Sequence, residues 1–318
     1  MTSPQAGYSS HFGVDNIPFG VASSQQHPNR QCVTRFEDHV IFLGELDDAL
    51  ADVSGLTLDV LRQETLNPFA ALPYEVHQAV RTRIKNTIRS NTSPEQPNGS
   101  LPGFPVCAVE HISAVNMHLP VTVSDFTDFS CSLDHVQNAS EAMTGTPSTP
   151  PAFFHMPIGY AGRCSSLDVS GTTVERPFGQ RWEGNPMQSE VIFGRCERMD
   201  YELELGCIIG KPLPRKQRVM AANAEDHIFG YVLVNDWSGE YLEIGLQRFY
   251  WSAALDLGLT RCSTRHTSFG DDTSGTPKRQ ESGHYHLAVG HNRRRVASLQ
   301  DHLSTSCEGP DHLSCRFR

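Results

Sequence analysis

Met199-Asp200-Tyr201-Glu202-Leu203-Glu204-Leu205 is an apolar run that reads as a strand. On a strand, residues two apart point to the same face. Glu202 and Glu204 are therefore expected side by side, on a largely buried surface. Buried like charges are costly unless something cancels them. A hard divalent cation with oxygen ligands, Mg2+ or Ca2+, does this most directly. A competing reading is a solvent-facing strand edge, where alternating charge discourages aggregation. The bulky neighbours Tyr201, Leu203, Leu205 and Ile208 weigh against it.

Two more acids lie outward from this strand. Asp128 stands in Asp125-Phe126-Thr127-Asp128-Phe129, and Asp236 in Val234-Asn235-Asp236-Trp237-Ser238. Both are short acidic points in apolar surroundings, suited to complete a cation cage. His135 follows Asp128 by seven residues. A neutral imidazole beside a metal is a natural base for water, and an ordinary surface or capping histidine is the alternative. Residues 159–166 form a glycine-flanked loop with Tyr160, Arg163 and two serines. Arg163 suits an anionic substrate there, while a plain hairpin turn accounts for the same residues.

The wider pattern is strand-rich. Short apolar runs at 106–109, 153–158, 167–169, 191–193, 201–209 and 227–234 are cut by Gly and Pro, which favours a sandwich or roll over alternating βα units. Nearer the amino terminus, residues 12–24 and 32–46 predict short strands with tight corners. From Pro73 the period changes. Val76, Val80, Ile84 and Ile88 recur every four residues and predict one amphipathic helix. Residues 91–105 are rich in Ser, Pro and Gly, as in a surface loop. Beyond Tyr250 the aliphatic runs give way to Arg, His, Ser and Thr, including the basic run 293–295 and the His284/His286 pair. That tail is expected to be loosely packed or disordered.

The totals narrow the class. At 318 residues the chain has room for two domains, and its 38% hydrophobic and 19% charged content is that of a globular protein. A net charge of −10 disfavours a general nucleic-acid binder. No apolar run approaches the ~20 residues of a membrane helix. The first residues lack the basic and apolar regions of a secretory signal. Nine scattered cysteines with no Cys-x-x-Cys pair predict reduced thiols and a cytoplasmic protein.

Several motifs, in order, resemble the fumarylacetoacetase family. They begin with Asn16-Ile17-Pro18-Phe19-Gly20-Val21, Thr65-Leu66-Asn67-Pro68-Phe69 and Met117-His118-Leu119-Pro120. They continue with the Asp128 motif, His155-Met156-Pro157-Ile158-Gly159-Tyr160, Val169-Ser170-Gly171-Thr172, the Glu202/Glu204 strand, His227-Ile228-Phe229-Gly230 and Asn235-Asp236-Trp237-Ser238. The resemblance covers residues 12–238.

It implies a mainly β fold with α additions: an SH3-like amino-terminal barrel (1–119), part of a β-roll catalytic domain (120–250), incomplete at its carboxyl end, and a divergent tail (251–318). It implies a homodimer acting on a small oxo-acid, with no nucleic-acid or membrane partner. It implies that Asp128, Glu202, Glu204 and Asp236 bind Mg2+ or Ca2+, that His135 activates water, and that Tyr160 contacts substrate. The implied reaction is hydrolysis of the carbon–carbon bond of fumarylacetoacetate, in tyrosine and phenylalanine catabolism.

Three departures qualify these implications. Ser130 stands where the family has a substrate-contacting tyrosine, and Thr144 about where it has a carboxylate-binding arginine. After Ser238 the chain reads Gly239-Glu240-Tyr241-Leu242-Glu243, without the family's following Ala-Arg-Asp-Ile-Gln segment or the motifs beyond it. A superfamily member with another oxo-acid substrate, or a catalytically inactive truncated relative, is therefore expected alongside the hydrolase reading.

Overall fold

In this computed structural model the described residues are 6–91, 101–182, 191–197 and 199–238. They fall into two compact units. The first holds the described residues up to Pro120 together with Cys207–Val232; the second holds those of Val121–Gly206 and those from Leu233 onward.

The first unit is built on a five-stranded antiparallel sheet. Its strands are β1 (Phe19–Ser24), β2 (Gln31–Phe36), β3 (His39–Phe42), β4 (Val109–His111) and β5 (Val115–His118), in the spatial order β4-β3-β2-β1-β5. Register places Gly20 opposite Val33 and Val33 opposite Phe42. One face therefore buries Ala22, Val33, Val40 and Phe42 with Ile112 and Val115. The alternate positions Phe19, Val21 and Ile41 are also inaccessible. Both faces are covered, which explains continuous apolar runs here instead of apolar–polar alternation.

Short helices α1 (Asp47–Leu50) and α2 (Asn67–Ala70) precede the long α3 (Tyr74–Ser90). The predicted helix is thus present. Val76, Val80 and Ile84 are buried along one side of it, each contributing about 1.5–3 kcal/mol of apolar burial. His77 and Arg81 are buried with them. Arg81 donates through Nη1 to the Ile17 carbonyl and lies over the Phe19 ring, 4.8 Å from its centroid. The ring face offsets part of the cost of burying that charge. Beside β1, Glu110 accepts from Ser24 Oγ at 2.6 Å and lies 2.8 Å from His27 Nδ1, while His27 stacks on Phe42 at 4.0 Å. The buried Glu110 carboxylate is thereby hydrogen-bonded, as burial requires.

In the second unit the described strands pair in twos. Strand β6 (Thr127–Phe129) pairs with β7 (Gly159–Ala161). Strand β8 (Phe178–Trp182) pairs with β9 (Val191–Arg195). Strand β10 (Asp200–Ile209) pairs with β11 (Ile228–Ser238), and these two run through both units. Helix α4 (Leu133–Thr144) follows β6. The chain is mainly β with helical additions, as expected.

Three expected strands are otherwise. Residues 153–158 contain the end of a 3-10 turn, Pro151–Phe154, because Pro150 and Pro151 fix backbone angles that open a helical turn. Residues 167–169 run into a turn in which the Thr172 amide donates to the Val169 carbonyl and Gly171 takes φ +94, a conformation suited to glycine. Residues 106–108 form a 3-10 turn after Pro105, and the strand begins only at Val109. The expected tail, with its basic run and histidine pair, and most of the expected 91–105 loop lie outside the described residues.

Candidate metal centre

Asp128 is the middle residue of β6 and sits opposite Tyr160 of β7. The ladder continues on both sides: the Ser130 amide donates to the Ile158 carbonyl at 2.9 Å, and the Gly162 amide to the Phe126 carbonyl at 3.0 Å. Gly159 permits this approach. A Cβ there would lie 2.6 Å from the Asp128 carbonyl oxygen and 2.7 Å from the Phe129 ring.

On β10, burial alternates strictly. Glu202, Glu204 and Gly206 are half-buried; Tyr201, Leu203 and Leu205 are exposed at 54%, 53% and 53%. The two glutamates do share a face, as expected. The bulky apolar residues between them, expected to be buried, face solvent. Asp236 lies near the end of β11 and is half-buried, flanked by the exposed Asn235 and the buried Ser238 two residues on.

These elements bring three acids together. One carboxylate oxygen from each of Asp128, Glu204 and Asp236 lies within 4.8 Å of the other two. Three half-buried carboxylates at that spacing are a hard, anionic donor set, and it fits Mg2+ or Ca2+. Glu202 is outside this group. Its Oε2 lies 3.9 Å from His135 Nε2.

His135 is set by the start of α4. Ser132 caps the helix, its hydroxyl accepting the His135 amide at 3.3 Å. Gly145 closes the other end in the left-handed conformation, donating to the Glu141 carbonyl. The buried Ser140 ties the helix to the following loop through the Thr146 carbonyl and the Ser148 hydroxyl. The helix backbone is thus fixed while the His135 side chain remains 58% exposed.

The other candidate residues are spread along the same unit. Ser130 follows β6 directly and is half-buried. Tyr160 is the register partner of Asp128. Thr144 ends α4, 14 residues after Ser130 in the chain. Arg163 precedes a short 3-10 turn, Cys164–Ser166, so its loop is not a plain hairpin. The pairing of Glu202 with His135 was not anticipated. Its signal was available only as the same-face spacing of Glu202 and Glu204, which does not say which neighbour each carboxylate meets.

Known proteins place these elements in a family. The profile for the amino-terminal domain of fumarylacetoacetase matches residues 15–120, and that for the carboxyl-terminal domain of fumarylacetoacetate (FAA) hydrolase matches residues 125–270. The chain belongs to the fumarylacetoacetase family. It is similar to a fumarylacetoacetase of Dictyostelium discoideum, 35% identical over 245 residues that cover 74% of this chain and 56% of that protein. The fumarylacetoacetase of Aspergillus fumigatus is 36% identical over 249 residues, covering 74% and 58%. That of Homo sapiens is 31% identical over 245 residues, covering 74% and 57%. The chain spans a little over half the length of these relatives.

Proposed function

We propose that this chain is a divalent-cation-dependent hydrolase that cleaves the carbon–carbon bond of a β-diketo acid, converting fumarylacetoacetate and water to fumarate and acetoacetate. The observation that carries this reading is the convergence of Asp128, Glu204 and Asp236 within 4.8 Å, in a chain of the fumarylacetoacetase family. These three residues would hold Mg2+ or Ca2+. The cation would supply positive charge to polarise a substrate carbonyl.

The chain's own residues do the rest. His135, in the same unit, takes a proton from the attacking water. The water oxygen bonds to the carbonyl carbon, the adjacent carbon–carbon bond breaks, and its electron pair leaves with the acetoacetate fragment, which then takes up a proton. Tyr160, opposite Asp128 in the β6–β7 ladder, contacts the substrate. The same reading carries a homodimer and a cytoplasmic location. None of the described helices is long and apolar enough to cross a membrane.

A second reading, a relative with a different oxo-acid substrate, is favoured by Ser130 and Thr144. Ser130 lacks a phenol for substrate contact, and Thr144 lacks the bidentate guanidinium contact that a substrate carboxylate prefers.

The test is direct. Purified protein with Mg2+ or Ca2+ is mixed with fumarylacetoacetate, and its ultraviolet absorbance is followed. Loss of absorbance that falls at least ~100-fold in His135→Ala, and also in Asp236→Asn, supports the hydrolase. Cation binding with no turnover of fumarylacetoacetate but turnover of another diketo acid supports the second reading. A folded protein inert to all of them overturns both.

A further inference from the structure

We propose that the loop between β10 and β11 docks the first unit onto an anionic lipid surface. Lys211, Arg215, Lys216 and Arg218 meet the phosphate and carboxylate headgroups, and Met220 enters between them. A membrane partner departs from what the family resemblance implies. The loop lies between the motifs at 200–204 and 227–230 and contains neither, so its chemistry is that of this chain's own residues.

The charge of the loop stands out against the rest of the unit. Four cations fall within residues 211–218, and no acid occurs between Glu204 and Glu225, in a chain whose net charge is −10. Elsewhere in the unit Arg35, Arg62, Arg83, Lys85 and Arg89 each have a carboxylate partner within 4.0 Å. Among the described residues none of the four loop cations forms an ion pair. Every residue from 211 to 220 is exposed. Apolar side chains are exposed with them: Ile209 at 63%, Leu213 at 42% and Met220 at 74%. Unpaired cations interleaved with outward apolar groups suit the boundary between lipid headgroups and acyl chains. A nucleic acid fits less well, because residues 210–226 offer no aromatic ring for a base to stack on. An acidic protein surface would pair the cations, but it would need a preformed pocket for each apolar group. A headgroup layer deforms around a protruding loop. The net charge of −10 does not prevent approach, since charges beyond about 8 Å are largely screened at physiological ionic strength.

The loop is held ready at both ends. At its base the Gly210 and Lys211 amides donate to the His227 carbonyl at 3.0 and 3.4 Å, and His227 Nδ1 donates to the Lys211 carbonyl at 2.8 Å. At its tip the Gln217 amide donates to the Pro214 carbonyl at 3.0 Å, with Lys216 at φ +68 turning the chain back. Met220 then opens a 3-10 turn, Ala221–His227, through its carbonyl and the Asn223 amide. Binding therefore has little backbone left to order.

Vesicle flotation of the full chain tests this. Phosphatidylcholine vesicles with about 30% phosphatidylserine are compared with phosphatidylcholine alone, at about 0.15 M and about 0.5 M salt. We expect partition onto the anionic vesicles to be at least about tenfold stronger, and to fall with salt. Arg215→Gln/Lys216→Gln should weaken it about 25-fold, at about fivefold per cation. Met220→Ser should weaken it about fivefold. Arg83→Gln/Arg89→Gln makes the same change in net charge at paired positions and should stay within about twofold of wild type. Equal partition of wild type and the Arg215/Lys216 variant would overturn the proposal, as would equal partition onto the two kinds of vesicle. Binding to polyglutamate or to an oligonucleotide, with none to vesicles, would assign the loop to an acidic macromolecule and overturn it too.

Discussion

Phe229 stacks on Phe19, with ring centroids 6.3 Å apart and planes 19° from parallel. One ring comes from the first strand of the chain and the other from the last described strand. Phe229 also meets Phe69 edge-on at 5.9 Å and His77 at 4.9 Å, and it is 1% exposed. The core of the first unit is therefore closed by a residue that follows the Val121–Gly206 segment of the second unit in sequence. Gly210 belongs to the same closure, since a Cβ there would meet the Ala70 carbonyl and lie 2.8 Å from Phe229 Cβ.

Phe229→Ala removes the ring that three aromatic partners share, leaving a cavity. It should lower unfolding free energy by about 3–5 kcal/mol, and Phe229→Leu by clearly less. Urea titrations of the two variants against wild type measure this. A change under about 1 kcal/mol for the alanine variant would mean that the first unit holds together without β11.

His77 makes stability fall with acid. Burial lowers its pKa below the ordinary 6.5; the hydrogen bond to the Phe69 carbonyl opposes that shift, Arg81 adds to it and Glu75 opposes it. Nε2 donates to the Phe69 carbonyl at 2.7 Å, which defines the neutral tautomer. The folded state thus binds its proton later than the unfolded state does. This contribution is complete above about pH 6.5 and is lost as pH falls through the folded value, with a slope of at most ~1.4 kcal/mol per pH unit for one proton. His118 shifts in the same direction, through burial and then Arg30. Thermal unfolding between pH 7.5 and 5 should show a shallower acid limb in His77→Gln than in wild type; parallel curves would contradict it.

Cation binding should be visible without any substrate. A ligand bound only by the folded state stabilises it by about 2.7 kcal/mol at a hundredfold excess over its Kd. Mg2+ or Ca2+ should therefore raise Tm in wild type and leave Asp236→Asn and Asp128→Asn unmoved. EDTA should reverse the rise. An equal rise in the variants would place the cation elsewhere.

The thiols divide by access. Cys32 is fully buried, its pKa pushed up to about 12, and its Sγ sits 3.6 Å from the Val60 carbonyl. Cys107 and Cys131 are exposed. Thiolate is the reactive form, so iodoacetamide at pH 8 should label Cys107 and Cys131 while Cys32 stays unmodified until the protein unfolds. Peptide mass spectrometry reads the sites, and early labelling of Cys32 would show that the first unit opens readily.

Much of this was legible from residue spacing. Four-residue apolar recurrence marked α3, and the alternation around Glu202 and Glu204 marked β10. The motif order marked the family. The misread stretches failed for local reasons: prolines at 105, 150 and 151 turn apolar runs into 3-10 turns. Two features needed three dimensions. The apolar residues of β10 face outward because the acids take the half-buried side, and no one-dimensional pattern says which face a strand turns inward. Likewise, same-face spacing on a strand does not say which neighbour each carboxylate meets: Glu204 has an oxygen within 4.8 Å of Asp128 and Asp236, and Glu202 lies 3.9 Å from His135.

The outward row of Tyr201, Leu203 and Leu205 gives β10 an adhesive flank directly behind its half-buried carboxylates. Handling and reactivity are thereby separable on one strand. Polar replacements along that flank, such as Leu203→Lys, should improve solubility at high concentration while the carboxylates, pointing the opposite way, keep their arrangement.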